Sequence, residues 1–274
     1  MIIALHGQVT LYSNILTDIR IAKECGYKGI ELHTDKLLRY LNSGMTALQL
    51  KESLDRYAIE PVAIDIIGDI EVQDSSHKDA LFNLTQRLCE VAEVVGVPTI
   101  QVNPFSALEG MPIDKIISLT AENLKIIADI GAERGIRFQI EGAAWTPIHS
   151  LEDCLKLIDK TNRTNVGLVI DFWHFWASRG ADPEEISRLD PSIIFGVHLC
   201  DGLRPAAEAP WPDERDLRGY LPGEGELPVG DWMDAVKSTG YDGFVSGEFL
   251  NSKLWESDLL TIAREMREKI EEYL

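Results

Sequence analysis

Residues 166–174 read Val-Gly-Leu-Val-Ile-Asp-Phe-Trp-His, an almost continuous apolar run that leads into an aspartate and a histidine. A short run of this kind, without polar alternation, is typical of a parallel strand that is buried on both faces. Seven similar runs occur along the chain. The eight candidate strands are Ile2–Leu5, Gly29–Leu32, Pro61–Asp65, Thr99–Asn103, Arg137–Glu141, Val166–Asp171, Ile193–His198 and Gly243–Glu248.

Amphipathic segments separate these runs, for example Ser76–Val95 and Ile113–Glu133, with apolar residues three and four positions apart. Glycines just before the next strand predict left-handed helix ends. These glycines are Gly26, Gly96, Gly135 and Gly240. Alternating β/α units predict an α/β protein, and eight units are the number that closes a barrel. We therefore expect a single (β/α)₈ TIM barrel over residues 1–274, with a doubly wound open sheet as the alternative.

One connection, residues 201–227, is much longer than the others and follows the seventh candidate strand. It is rich in proline and glycine, with Pro205, Pro210, Pro212, Pro222, Gly219, Gly223 and Gly225. Long loops inside compact domains are usually lids or binding elements. Because this loop leaves the carboxyl end of a strand, the face where barrel active sites lie, we expect it to cover the site.

Four consecutive candidate strands end in residues that can bind a metal: Glu141, Asp171, His198 and Glu248. Taken singly, each has a structural alternative, such as capping the next helix. Taken together, three carboxylates at one barrel mouth would repel each other unless a cation lay between them. We therefore expect one divalent metal ion. The oxygen-rich donor set favours Mn²⁺ or Mg²⁺, with Co²⁺, Fe²⁺ or Zn²⁺ as alternatives.

The charge of the chain excludes some classes of partner. The formal net charge is −19 and the isoelectric point is about 4.7. Nucleic-acid binding needs a basic patch, and the sequence contains no basic cluster and no glycine-rich phosphate loop. No apolar run approaches the length of a membrane span, and residues 1–6 do not resemble a signal peptide. We expect a cytoplasmic protein that acts on a neutral or weakly charged small molecule.

Over essentially its whole length the chain resembles the xylose-isomerase-like TIM barrel superfamily of sugar isomerases and epimerases. Within that superfamily it is most similar to the inosose isomerase (2-keto-myo-inositol isomerase)-like members. The segments that carry the resemblance are 26–32 (Gly-Tyr-Lys-Gly-Ile-Glu-Leu), 165–175, 221–225 (Leu-Pro-Gly-Glu-Gly) and 245–249 (Val-Ser-Gly-Glu-Phe).

The resemblance implies that Glu141, Asp171, His198 and Glu248 are the metal ligands. It also implies that His174 and an arginine before Pro222 contact substrate oxygens. Arg218 is our choice for that arginine, and Arg215 is a nearby competitor.

For the reaction we expect isomerisation or epimerisation of a keto-sugar or keto-cyclitol through an enediolate. Glu141 and Glu248 would remove and return the proton next to the carbonyl, with the metal as Lewis acid. Elimination by the same route, in a dehydratase or lyase acting on a keto-polyol or keto-glycoside, is the alternative. An abasic-site endonuclease with extra ligands, or a non-catalytic barrel, ranks lower. The extra ligands would come from His6, His33, Glu31 and Asp201.

The sequence departs from the family at three positions, and each bears on the substrate. Ketohexose 3-epimerases of the family carry an acid where this chain has Pro147. Arg218 lies four residues before Pro222 rather than three. Glu256 replaces a lysine of the inosose isomerase-like members, with Lys253 nearby. The sequence alone therefore leaves the substrate open, and it leaves homo-oligomerisation open as well.

Overall fold

The computed structural model describes residues 1–206 and 211–274. Eight parallel strands pair in sequence order, and the eighth pairs with the first, so the sheet is a closed barrel. The strands are β1 (Ile2–His6), β2 (Gly29–His33), β3 (Glu60–Ile67), β4 (Thr99–Val102), β5 (Arg137–Ile140), β6 (Val166–Asp171), β7 (Ile194–Leu199) and β8 (Phe244–Gly247). The predicted (β/α)₈ barrel is confirmed, and the open sheet was the wrong alternative.

Helices connect the strands and cover the outside of the barrel. They are α1 (Ile15–Cys25), α2 (Thr34–Asn42), α3 (Ala47–Tyr57), α4 (Ser75–Val95), α5 (Ile113–Ala132), α6 (Leu151–Thr161), α7 (Phe172–Ser178), α8 (Pro183–Ser187), α9 (Glu214–Leu217), α10 (Val229–Ser238), α11 (Ser252–Trp255) and α12 (Leu259–Glu271). A 3₁₀ turn, Pro191–Ile193, precedes β7. Among the described residues, no helix is both long enough and apolar enough to cross a membrane.

The predicted helix ends are present. Gly26 and Gly96 have φ angles of 84° and 87°, and in each case the N–H group donates to the carbonyl of Ala22 or Ala92 in the last helical turn. Only glycine adopts this left-handed conformation without steric cost. Each helix therefore stops where the chain must turn back into the next strand.

The main difference from prediction lies at the strand ends. β3 continues two residues past its predicted end at Asp65, and β7 starts and ends one residue later than predicted. His198 therefore lies within β7, where its Cα pairs in register with that of Asp171 on β6. Glu141 and Glu248 directly follow β5 and β8. The barrel thus delivers all four side chains to the same mouth.

The long loop is held in place by the carboxylate of Asp201, which is fully buried. Its two oxygens accept backbone N–H bonds from Gly202 (2.7 Å), Gly223 (2.9 Å), Gly225 (2.9 Å) and Leu227 (3.1 Å). A carboxylate with this many backbone donors is strongly stabilised in place. Residues 222–225, the Pro-Gly-Glu-Gly tract, therefore serve as the anchor of the loop. Residues 207–210, which include Pro210, lie outside the described part.

Replacing Asp201 by alanine should leave four backbone N–H groups without their acceptor and release the loop. We expect Asp201→Ala to lower the free energy of unfolding by about 3 kcal/mol, measured by urea denaturation. The matched control is Asp234→Ala, which removes an exposed aspartate on α10 and should leave stability unchanged. A loss below about 1 kcal/mol for Asp201→Ala would contradict this role.

Candidate metal centre and active site

The structure brings the four predicted ligands together at the carboxyl end of the barrel. One donor atom from each of Glu141, Asp171, His198 and Glu248 lies within 4.8 Å of the donor atoms of the other three. All four side chains are buried, with exposed fractions between 0% for His198 and 9% for Glu248. Three carboxylates and an imidazole in one buried cluster form a donor set that suits a divalent ion.

His198 is oriented by a carboxylate behind it. Its Nδ1 faces the cluster, 3.2 Å from oxygens of Glu141 and Glu248 and 3.8 Å from Asp171 Oδ2. Its Nε2 lies 3.2 Å from Glu31, which also accepts a hydrogen bond from Ser246 Oγ. Metal-binding histidines are usually held in this way, with the second ring nitrogen bonded to a carboxylate. Glu31 therefore turns Nδ1 towards the centre.

Glu141 is oriented by two amides. Asn103 Nδ2 donates to its Oε2 at 2.6 Å, and Gln101 Nε2 donates to the same oxygen at 3.2 Å. Gln139 in turn donates to Gln101 at 2.9 Å. These hydrogen bonds occupy Oε2 of Glu141 and leave its Oε1 facing His198. Glu141 therefore keeps one oxygen free for the centre.

Without a cation, the cluster has strongly shifted pKa values. Burial alone would lower the pKa of His198, but the carboxylates of Glu31, Glu141 and Glu248 outweigh it and hold that pKa well above its ordinary value. Burial raises the pKa of Glu141, yet the hydrogen bond from His198 and the charge of His174 lower it to about 2. Burial and the neighbouring carboxylates raise the pKa of Asp65 well above its usual range. Such shifts mark functional sites.

The charge balance also fits a divalent cation. Buried carboxylates of Glu31, Asp65, Glu141, Asp171 and Glu248 surround the centre. Among the described residues, Arg218 is the only arginine or lysine that forms an ion pair with any of them. It contacts Asp171 Oδ2, and it lies 2.8 Å from Glu248 Oε2. One guanidinium leaves the cluster negative, so residues and charge both suit a metal held by the four predicted ligands.

The structure distinguishes the two candidate arginines. Arg218 is 2% exposed and lines the mouth, whereas Arg215 is exposed and pairs with Asp213. His174 lies beside Arg218, and its Nδ1 accepts the N–H of Ala144 at 3.1 Å. The structure therefore places His174 and Arg218, but not Arg215, in the lining of the inner cavity at the barrel mouth.

An inner cavity of about 250 Å³ opens between these residues. One wall is aromatic, formed by Phe105 and Trp145, whose rings stack 5.4 Å apart. The neighbouring aromatic residues Trp173 and Phe175 do not line this cavity. Both are buried in the core, and Trp173 Nε1 donates to the carbonyl of Leu203 under the long loop. The remaining lining is mainly polar and includes Gln8, His33, Asp65, Asn103, His174, Glu214 and Arg218.

Two of the extra ligands considered for an endonuclease, Asp201 and His33, are used differently, whereas His6 forms a second group of possible metal donors with His198 and Glu248. Asp201 binds loop backbone, and His33 Nε2 lies 3.1 Å from Gln8 Oε1. His6 Nδ1 accepts the N–H of Gln8 at 3.0 Å, so a neutral ring carries its proton on Nε2, which lies 3.6 Å from Asp65 Oδ2. Cys200 is fully buried, and burial raises the pKa of its thiol well above the ordinary value.

Two acidic residues of the cavity, Asp65 and Glu214, are not among the candidates predicted from the sequence. Asp65 lies near the end of its strand, as Asp171 does, so the same strand-end signal marks it. Glu214 lies inside the long loop, where no periodic pattern fixes the direction of a side chain. Only the folded loop shows that Glu214 faces the cavity.

The chain is similar to proteins of known fold and function. The model of the family described as "Xylose isomerase-like TIM barrel" matches residues 19–273. The inosose isomerase of Bacillus velezensis is 25% identical over 264 residues, which cover 94% of this chain and 92% of that protein. The 3-dehydroshikimate dehydratase of Pseudomonas aeruginosa is 25% identical over 89% of this chain but only 37% of its own length.

Solved structures share the fold at lower identity. The IOLI protein, crystallised with a binding zinc atom, has a TM-score of 0.91 and is 22% identical, with 100% of this chain and 98% of that chain covered. The D-psicose 3-epimerase from Clostridium cellulolyticum H10 has a TM-score of 0.79 at 14% identity, with the same coverage.

A metal held by the four ligands should stabilise the protein and require His198. We expect saturating Mn²⁺ to raise the melting temperature of the metal-free protein by several degrees, since a ligand that binds only the folded state stabilises it. His198→Ala should abolish this rise, and the metal content measured by elemental analysis should fall from about one ion per chain to none. His77→Ala, which removes an exposed histidine on α4, is the matched control and should behave as wild type. An unchanged rise in His198→Ala would exclude this metal site.

Proposed function

Because the chain belongs to the xylose isomerase-like TIM barrel family, we propose that it is a divalent-metal-dependent isomerase or epimerase of a neutral keto-sugar or keto-cyclitol. The observation that carries the proposal is the placement of two carboxylates, Glu141 and Glu248, with Asp171 and His198 at the edge of one polar cavity. Inosose isomerases among the relatives and epimerases among the structural neighbours support the reaction class.

The metal is part of the proposal. The zinc atom of the IOLI structure supports a divalent ion, and the oxygen-rich ligands of this chain favour Mn²⁺ or Mg²⁺, with Zn²⁺, Co²⁺ or Fe²⁺ as alternatives. When bound, such an ion supplies Lewis-acid polarisation of a substrate carbonyl.

The side chains themselves supply the proton transfers. Glu141 follows β5 and Glu248 follows β8, with β6 and β7 between them, so the two carboxylates reach the cavity from different sides. One carboxylate removes the proton from the carbon next to the carbonyl. The other returns a proton, either to the neighbouring carbon, which gives isomerisation, or to the opposite face of the same carbon, which gives epimerisation. His174 and Arg218 hold substrate oxygens through their N–H groups. Asn103 and Gln101 keep Glu141 oriented throughout.

The cavity favours a neutral substrate. Its lining contains four acidic side chains, those of Asp65, Glu141, Glu214 and Glu248, and among the described lining residues Arg218 is the only arginine or lysine. 3-Dehydroshikimate carries a carboxylate, which the carboxylate of Glu214, a group outside the proposed metal ligands, would repel. The dehydratase relatives support elimination as the alternative reaction, while the lining argues against that substrate. Elimination from a neutral keto-polyol is the second candidate function, and product analysis distinguishes it from isomerisation.

Proton transfer should depend on both carboxylates. We expect wild-type enzyme loaded with Mn²⁺ to exchange the proton α to the carbonyl of 2-keto-myo-inositol in D₂O, as followed by NMR. Glu141→Gln and Glu248→Gln should each lower the exchange rate by about 10²–10⁴-fold, because each removes an acid–base group. Glu152→Gln, an exposed glutamate on α6, is the control and should exchange at the wild-type rate.

Metal content is measured in parallel, so that loss of the ion is distinguished from loss of the base. Exchange at the wild-type rate in both cavity variants, at wild-type metal content, would contradict the two-carboxylate mechanism.

A further inference from the structure

Glu214 is a cavity carboxylate that the proton transfers do not use. It begins the short helix α9 in the 201–227 loop, and its side chain is only 17% exposed. Its helix neighbours Arg215 and Asp216 are exposed. Glu214 lines both the inner cavity and an outer groove of about 850 Å³, together with Trp145 and Leu250. It therefore lies at the neck between the inner cavity and the outer groove.

The loop holds Glu214 in a defined position. Directly after α9, the carbonyl of Arg218 accepts the N–H of Leu250 at 2.6 Å, and Asn251 Nδ2 donates to the carbonyl of Gly219 at 2.8 Å. Farther along, Asp201 binds the backbone of Gly223 and Gly225. These bonds tie α9 to the segment after β8, so the Glu214 carboxylate is part of the mouth.

One oxygen of this carboxylate lacks a hydrogen-bond partner. Glu214 Oε1 is buried and accepts no hydrogen bond from the described residues. It lies at ion-pair distance from His174 Nε2 (3.5 Å) and Arg218 Nη1 (3.6 Å), neither of which forms a hydrogen bond with it. Burying a charged oxygen without a hydrogen bond is costly, and a donor brought by a ligand would relieve that cost.

His174 and Arg218 border the same space. His174 Nε2 lies 3.1 Å from Arg218 Nη1 and 3.5 Å from Glu214 Oε1, and Arg218 Nη1 lies 3.6 Å from the same Glu214 oxygen. The N–H donors of Arg218 and the Glu214 acceptor thus surround one small volume. A hydroxyl group satisfies them because it both accepts and donates, whereas a carboxylate or phosphate only accepts.

We propose that Glu214 is a specificity-determining residue that binds an uncharged hydroxyl of the substrate and rejects substrates with an anionic group at that position. The inference rests on the proposed function for the substrate class, a neutral keto-polyol. It assigns Glu214 to binding and leaves the chemical step to Glu141 and Glu248.

The test compares Glu214→Gln with Asp216→Asn, which removes the same charge from an exposed position of the same helix. Both are prepared as Mn²⁺-loaded enzyme with unchanged thermal unfolding. Calorimetry measures the affinity for 2-keto-myo-inositol and for 3-dehydroshikimate. Glu214→Gln should weaken binding of the neutral ligand and tighten binding of the anion, each by about ten-fold. Asp216→Asn should change neither, and Glu214→Asp, which keeps the charge, should still reject the anion.

Kinetics give the second readout. Glu214→Gln should raise KM for 2-keto-myo-inositol by about ten-fold with kcat within about three-fold of wild type. A fall in kcat at constant KM would overturn the proposal, and so would equal affinity of Glu214→Gln and Asp216→Asn for 3-dehydroshikimate. If wild-type enzyme fails to turn over 2-keto-myo-inositol, the proposed function fails. The affinities for 3-dehydroshikimate still decide the role of Glu214.

Discussion

The repulsion between three buried carboxylates, those of Glu141, Asp171 and Glu248, is the constraint on which the rest of the site depends. The ends of β5, β6 and β8 bring these groups close enough to share one ion with His198. Like charges at such distances, removed from water, destabilise the fold unless positive charge lies among them. The protein supplies part of that charge itself, through Arg218 and through His198, whose pKa the carboxylates raise. A divalent ion would supply the remainder, and it would also make the cluster catalytic.

The long loop links this electrostatic constraint to recognition of the substrate. A single segment carries Arg218, which pairs with Asp171 and Glu248, and Glu214, which faces the neck of the cavity. The backbone bonds to Asp201 hold the segment against the barrel. Charge compensation and substrate selection therefore depend on the same fold of the loop. The barrel strands position the side chains of the metal cluster, while a loop determines which substrates reach them. This division is common in barrel enzymes.

Much of this was readable from the sequence because strands and their ends have strong local signals. Each of the eight apolar runs is a strand, and the ligand candidates could be placed at one mouth because parallel strands of a barrel share a direction. The direction of loop side chains has no such signal. Arg218 was identified by resemblance, but neither Glu214 nor the anchoring role of Asp201 follows from spacing. Aromatic residues have no such signal either, because the run from Phe172 to Trp176 does not reveal which rings enter the core. The aromatic wall comes from Phe105 and Trp145, which are far apart in the chain.

The central claim is that one divalent ion lies among Glu141, Asp171, His198 Nδ1 and Glu248. The most direct test is anomalous diffraction from crystals of the Mn²⁺-loaded protein, recorded above and below the manganese absorption edge. We expect a single strong peak at the barrel mouth, within coordination distance of all four side chains, with His198 Nε2 still bonded to Glu31. No peak at the mouth, or a peak bound by other residues, would contradict the account.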